Sequence, residues 1–344
     1  MIYHDFQGLK LSALGMGTMR LPVMEGDDSR VDEAAAKEML AACMAGGVNY
    51  YDTAWGYHSG HSELTVGKLL ADYPRESFYL ASKFPGYDLR NMGKVEEIFE
   101  KQLEKCRVDY FDFYLFHNVC EMNIDAYLDP KYGTYDYLLA QKKNGRIRHL
   151  GFSAHGDYDV MKRFLEAYGK DMEFCQIQLN YLDWDFQDAK RKVELLNQWN
   201  IPVWVMEPVR GGQLASLRPE DEALLKAARP DEGIPAWAFR FLQSLPEVVM
   251  TLSGMSSLAQ VKDNIATCET EKPLSESEMQ LILSIADGMI ARTAVLCTGC
   301  HYCVSHCPMH LPIPELLKLY NESMAAGPGA FISAMGLAAV PEDR

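Results

Sequence analysis

Basic residues are scarce in this chain: 33 Lys and Arg stand against 48 Asp and Glu, a formal net charge of −15. That balance argues against a partner made of nucleic acid or an anionic membrane surface. Long apolar runs are missing as well. None approaches the roughly 20 residues needed to cross a bilayer. The opening "MIYHDFQGLK" lacks a basic stretch followed by an apolar core, so no secretory signal is expected. No G-x-G-x-x-G run follows an early strand-like segment, which weighs against an open doubly wound sheet. Nine cysteines is an odd count, and the last four stand too close together for a disulfide framework. The expected setting is therefore a reducing one, the cytoplasm.

What is present is an alternation of two periods. Apolar strand-like runs occur at "ALGMGTMRL" (13–21), "NYYDTA" (49–54), "SFYLASKF" (77–84) and "YFDFYLFH" (110–117). They continue at "IRHLGFSAH" (147–155), "EFCQIQLNY" (173–181), "PVWVMEP" (202–208) and "EVVMTLSG" (247–254). Helical segments lie between them. Val31 to Gly46, for instance, repeats its apolar positions three and four apart and stops at Gly46-Gly47. Near-continuous apolar strands separated by helices imply a parallel sheet covered on its faces. Eight such units imply a closed (β/α)8 TIM barrel. The leader "FQGLKLS" reads as a hairpin that plugs the bottom of the barrel. A helix is expected near 258–267, a longer one at 275–292 and a last one at 315–325, after Pro312 and Pro314. The Gly/Ala-rich end from Gly327 is expected to be loosely held.

In such barrels chemistry gathers at the C-terminal ends of the strands. There the second run ends in Asp52, with Tyr57 five residues on; the third ends in Lys83 and the fourth in His117. A phenol titrates near pH 10 and is a poor proton donor at neutrality. A neighbouring ammonium favours the phenolate, a carboxylate holds the ammonium, and an imidazole can bond a substrate oxygen. Such a group suits a carbonyl that gains negative charge as hydride arrives, and is worth about 10²- to 10⁴-fold in rate. Singly, each residue has a plainer reading: a helix cap, a rim charge, a core histidine. The four together on successive strand ends carry the argument.

The segments "YYDTAWGYHSGHSE", "ASK" and "YLFHN" resemble the aldo-keto reductases over roughly residues 1 to 270. That family sets an Asp, Tyr, Lys, His tetrad at these places on a (β/α)8 barrel. The resemblance implies NAD(P)H-dependent reduction of a small carbonyl compound, with Tyr57 as general acid. It also implies cofactor contacts. Gly17, Thr18 and Met19 lie at the first strand end, beside Asp52 at the second. Ser153 and His155 fall on the carboxamide segment, where many members have Asn instead of His155. Gln178 meets the same amide. Met206 stands where many members stack a Tyr, followed by Glu207 and Pro208. Arg210, Gly211, Gly212 and Gln213 line the pyrophosphate. Gly254 and Gln260 replace the Lys and Arg that grip a 2′-phosphate in NADPH-specific members, with Ser256 beside them. NADP(H) and NAD(H) both stand as cofactors. Asp263 and Asn264 match the adenine contacts.

Cys297, Cys300, Cys303 and Cys307 are spaced C-x₂-C-x₂-C-x₃-C-P, the bacterial ferredoxin run for a [4Fe–4S] cluster. Zinc is the alternative, with His301, His306 and His310 nearby. Either Cys307 or the distant Cys268 supplies the fourth ligand. Residues 1–270 are expected to form the barrel, and 271–344 a small helical extension with the iron–sulfur motif at 297–308. The cluster acts as a clasp for the tail or as a relay to a ferredoxin or flavodoxin. Other readings of the whole chain are a nicotinamide-binding redox sensor, or a component passing electrons between NAD(P)H and a ferredoxin-like partner.

Overall fold

A computed structural model describes residues 1–292, 295, 297, 303, 304, 307–309 and 311–326. The chain forms two compact units. The first comprises Met1–Leu179, Asp183–Pro208 and Phe239–Pro273; the second comprises Asn180–Leu182, Val209–Ala238 and the described residues from Leu274 on.

The first unit opens on an antiparallel hairpin, β1 (Tyr3–Phe6) and β2 (Leu9–Ser12). Its turn residues Gln7 and Gly8 both take positive φ, the geometry that matches strand twist across a two-residue loop. Eight parallel strands follow: β3 (Leu14–Gly17), β4 (Tyr50–Asp52), β5 (Tyr79–Phe84), β6 (Phe111–Val119), β7 (Ile147–Ala154), β8 (Cys175–Gln178), β9 (Val203–Met206) and β10 (Val248–Gly254). Each pairs with its sequence neighbour, and β10 pairs back onto β3 through Thr251↔Leu14 to Gly254↔Gly17. All eight strand-like runs of the sequence thus become staves of one closed barrel. All nine residues of β6 are buried, as a strand covered on both faces requires.

Helices cover the barrel outside, and side-chain caps fix several of their starts. Asp32 accepts from the Ala35 N–H to open α1 (Glu33–Ala45), and Asp157 from the Val160 N–H to open the helix Tyr158–Tyr168. α2 (Ser62–Leu70) and α3 (Val95–Cys106) matter for the site. In α3 the buried positions Val95, Ile98, Phe99, Gln102, Leu103 and Cys106 fall on one face. Ser257 caps the helix Leu258–Thr267 through the Gln260 N–H, at 3.3 Å.

The hairpin packs against one end of the barrel. Phe6 lies 5.0 Å from Trp204, 5.1 Å from His149 and 5.8 Å from Phe113, ring centre to ring centre. These partners sit in the N-terminal halves of β9, β7 and β6, so Phe6 and Leu11 close the bottom with apolar side chains.

In the second unit the long helix Glu276–Arg292 is tied by two ion pairs. Glu278 takes Arg229 at 2.6 Å, and Arg292 reaches Asp221 at 3.1 Å. The last described helix runs Ile313–Ala326, two residues earlier than the sequence indicates. Pro314 therefore lies in its first turn rather than ahead of it. A first-turn proline loses nothing there, because that N–H has no helical partner in any case. Asn321 bonds both the N–H and the C=O of Val295, which ties that residue to this helix. No described helix is long and apolar enough to cross a membrane. The expected loose end from Gly327 lies outside the described residues.

Candidate active site

Asp52 is the last residue of β4, and Lys83 lies next to the end of β5 with no exposed surface. The Lys83 ammonium donates to Asp52 Oδ1 at 2.5 Å and to the Thr53 carbonyl at 2.9 Å. Its third proton faces the Tyr57 hydroxyl at 3.4 Å. An ammonium has three donors, and here it meets three oxygens. Burial pushes the Asp52 carboxyl up and the Lys83 ammonium down, while each opposes the other's shift. The three-oxygen cage favours the charged form of Lys83.

Tyr57 opens a tight turn through Gly60 in which His58, Ser59 and Gly60 all have positive φ. His58 holds that turn. Its Nε2 accepts from the Leu21 N–H at 3.1 Å and its Nδ1 faces the Asp28 carbonyl at 3.1 Å, which assigns the ring proton to Nδ1. Behind the turn runs a buried hydroxyl chain. Ser62 Oγ lies 2.8 Å from both Thr18 Oγ1 and Thr53 Oγ1, and Thr18 Oγ1 donates to the Asp52 carbonyl at 2.9 Å.

His117 projects from β6. Its ring stands edge-on to Tyr57 at 5.9 Å and to Tyr87 at 5.1 Å. Burial, then the charge on Lys83, then His155, hold its imidazole well below the usual range. His117 is therefore neutral at ordinary pH. His155, at the end of β7, is pushed down to about 4 by burial and by the Lys192 and Lys83 charges. The structure thus brings Asp52, Tyr57, Lys83 and His117 together, with His155 beside them.

The other sequence-singled residues distribute as follows. Gly17 ends β3, followed by Thr18 and Met19. Ser153 Oγ accepts from the Asn118 N–H at 2.8 Å, and Gln178 Nε2 donates to Asp183 at 2.8 Å. Met206 ends β9, and its sulfur lies 3.6 Å from Gln176 Nε2. Glu207, at positive φ, pairs with Arg20 at 3.0 Å, and Pro208 follows. Arg20 packs over Gly254, and its carbonyl accepts from Ser256 Oγ at 2.9 Å. Gln260 Oε1 accepts from the Ser256 N–H at 2.8 Å. The Asp263 carbonyl accepts from Thr267 Oγ1, and Asn264 Nδ2 donates to Ser253 Oγ at 3.1 Å. Arg210, Gly211, Gly212 and Gln213 belong to the second unit. There Gly211 and Gly212 take positive φ, buried Arg210 donates to Gln213 at 2.9 Å, and Gln213 donates to the Cys297 carbonyl at 3.4 Å.

Cys297 and Cys307 are half-buried and Cys303 is exposed. Cys300 lies outside the described residues, and among the described residues no group of three or more His, Cys, Asp or Glu side chains is placed to hold a metal. Cys268 is buried in the first unit, its thiol pushed up to about 12.

Reading the sequence alone misses several neighbours of this site. Tyr87 against His117 is four residues past Lys83, and its place follows only from the loop after β5. The Thr18–Ser62–Thr53 chain and the ion pair Arg20–Glu207 join residues far apart in sequence. Glu63, Gln102 and Lys105 form a buried polar group that no local spacing reveals.

A closed eight-stranded parallel barrel carrying an acid, a phenol, an amine and an imidazole on neighbouring strand ends defines a class of barrel built for proton transfer at a small-molecule site. Residues 13–287 match the Aldo/keto reductase family, and the chain belongs to that family. It is an NAD(P)H-dependent oxidoreductase of that kind. It is similar to the NADH-specific methylglyoxal reductase of Escherichia coli, 24% identical over 327 residues that cover 82% of this chain and 96% of the relative. Among solved structures it is similar to aldo-keto reductase AKR11C1 from Bacillus halodurans in its holo form. That match has 26% identity and a TM-score of 0.66, covering 81% of this chain and 93% of the other. A Klebsiella pneumoniae aldo-keto reductase in complex with NADPH shares the fold at 20% identity and a TM-score of 0.65, covering 83% and 96%.

Proposed function

We propose that the protein reduces an aldehyde or ketone to an alcohol, with Tyr57 as proton donor. One observation carries this: the Lys83 ammonium spans Asp52 at 2.5 Å and the Tyr57 hydroxyl at 3.4 Å. Reduced nicotinamide, when bound, supplies the hydride. The carbonyl π pair moves onto oxygen, and that oxygen takes the Tyr57 proton. Lys83 stabilises the charge left on the phenol oxygen, and Asp52 keeps Lys83 in place. Neutral His117 orients the carbonyl by a hydrogen bond. The same groups serve the reverse oxidation.

The residues present fit a nicotinamide carboxamide. Ser153 Oγ already accepts one bond and keeps its own proton to donate. Gln178, with its Nε2 on Asp183, keeps Oε1 to accept. We place Gly17, Thr18, Met19, Met206, Glu207 and Pro208 around the ring. By the family resemblance Arg210 to Gln213 are the pyrophosphate segment, and Asp263 and Asn264 the adenine contacts. At the 2′ position Gln260 occupies the Ser256 N–H, and Arg20 is paired with Glu207. The Ser256 N–H and the Arg20 guanidinium are thus both engaged within the protein, which favours NADH. Steady-state comparison of the two dinucleotides is expected to give a kcat/KM for NADH at least equal to that for NADPH. Replacing Tyr57 by Phe should lower kcat about 10²- to 10⁴-fold with the fold intact. Undiminished turnover would remove the reading.

The four-cysteine run fits a [4Fe–4S] cluster by its donor set, thiolates at ferredoxin spacing. Cys307 is the better fourth ligand, since it completes the ferredoxin spacing within the run, whereas Cys268 is remote in sequence and buried in the first unit. A reducing compartment suits it. Residues 271–344 are then an extension appended to the barrel, with the cluster as clasp. We favour that role over a relay to ferredoxin or flavodoxin, since Asn321 ties Val295, just ahead of the run, to the last described helix. Iron removal should leave carbonyl reduction intact while near-UV circular dichroism of the tail is lost. Loss of turnover would overturn the clasp.

A further inference from the structure

Behind Lys83 lies a charged group that the proton-transfer step does not use. Glu63, in the first turn of α2, has no exposed surface. Its Oε1 accepts from Ser82 Oγ at 2.7 Å and from Gln102 Nε2 at 2.6 Å; its Oε2 accepts from Lys105 Nζ at 2.6 Å. Ser82 directly precedes Lys83, and the same Gln102 amide donates to the Lys83 carbonyl at 3.0 Å. Tyr114 donates to the other end of Gln102. Lys105 Nζ also sits 4.5 Å from the centre of the Trp55 ring, two residues before Tyr57. One carboxylate therefore grips the strand that carries Lys83 and, through Lys105, the loop that carries Tyr57. A buried ion pair is a weak device for stability, since apolar packing of the same volume commonly does as well.

We infer that Glu63 and Lys105 are positioning residues for the proton-transfer pair: together they fix the Lys83–Tyr57 geometry and set the field at Lys83. This rests on the role proposed for Tyr57 and Lys83. Lys83 is faced by Asp52 from β4, Tyr57 from the following loop, His117 from β6, His155 from the end of β7 and Glu63 from α2. Glu63 is faced by Lys105 and Cys106 from α3, Tyr114 from β6 and Tyr87 from the loop after β5. The Glu63 charge favours the Lys83 ammonium, and the Lys105 ammonium bonded to Glu63 offsets part of that charge.

The test compares Glu63→Gln, Lys105→Met and the double variant in the full chain, with Tyr57→Phe as control. Benzaldehyde is the substrate, and the pH dependence of kcat is recorded. Each single variant is expected to lower kcat about 10- to 100-fold with the dinucleotide KM unchanged. The alkaline limb of kcat should move to lower pH in Glu63→Gln, because Lys83 loses a supporting negative charge. It should move to higher pH in Lys105→Met, because Glu63 is then unscreened. The double variant should bring it back. A packing role predicts lower melting temperatures with the limbs unmoved. Stationary limbs in folded variants, or shifts of the same sign, overturn the inference. If Glu63→Gln fails to fold, Lys105→Met decides alone: a limb moved to higher pH supports the inference, and a stationary or lowered one overturns it. An active Tyr57→Phe sinks the proton-donor reading itself; an inactive one with stationary limbs sinks only the positioning role.

Discussion

At the candidate site single residues differ chiefly in the charge they hold. Lys83 is caged by three oxygens and His117 is kept neutral, so the site presents one cation, one anion and one neutral donor in fixed places. The two histidines have a further consequence for stability. An unfolded imidazole titrates near 6.5, whereas His155 titrates at about 4 in the fold and His117 well below its usual range. The unfolded chain therefore binds more protons through this interval. Stability present above about pH 6.5 falls as the pH drops toward about 4. His155→Asn should make this slope shallower, as read by urea unfolding from about pH 7 down to about 4.5. At this scale the tetrad was legible because a barrel fixes which end of each strand carries function, so Asp52, Lys83 and His117 could be picked by position. Glu63 was not legible. Its partners arrive from one strand, β5, and one other helix, α3, and only packing brings them together.

Elements succeed or fail on close approach. α2 and α3 meet at Gly67, where an added Cβ would lie 2.4 Å from the Lys105 carbonyl oxygen and 2.6 Å from the Cys106 backbone. Backbone cannot yield as a side chain can. Gly67→Ala should destabilise by about 1–3 kcal/mol in thermal or urea unfolding, through overpacking. It should also lower kcat, because Lys105 is displaced from Trp55. Phe6 is the converse case: it is 5% exposed and fills the barrel floor. Phe6→Ala should cost about 3–5 kcal/mol with the site chemistry untouched. The eight strands and the hairpin were readable from apolar runs and turn residues. The start of the last helix was misplaced because Pro314 reads as a breaker, although in a first turn it is not one.

At the scale of the molecule, the barrel and the cysteine-bearing segment pose separate questions. The barrel's family membership rests on residues 13–287, and the cysteine run lies beyond them. A protein purified without oxygen should carry about four irons per chain, the content of one such cluster. Cys297→Ser should lose that iron while benzaldehyde reduction continues. Zinc in place of iron would move the tail to the other metal chemistry its spacing allows.

The apolar floor formed by Phe6 and Leu11 bears on where small molecules can approach. It is continuous with the side chains that fill the barrel interior, Tyr50, Phe113, Leu115 and Trp204 among them, so the interior is solid and the ground left open to a ligand is the rim of loops at the C-terminal strand ends. Changes to the floor should then be felt in melting and not in access to that rim.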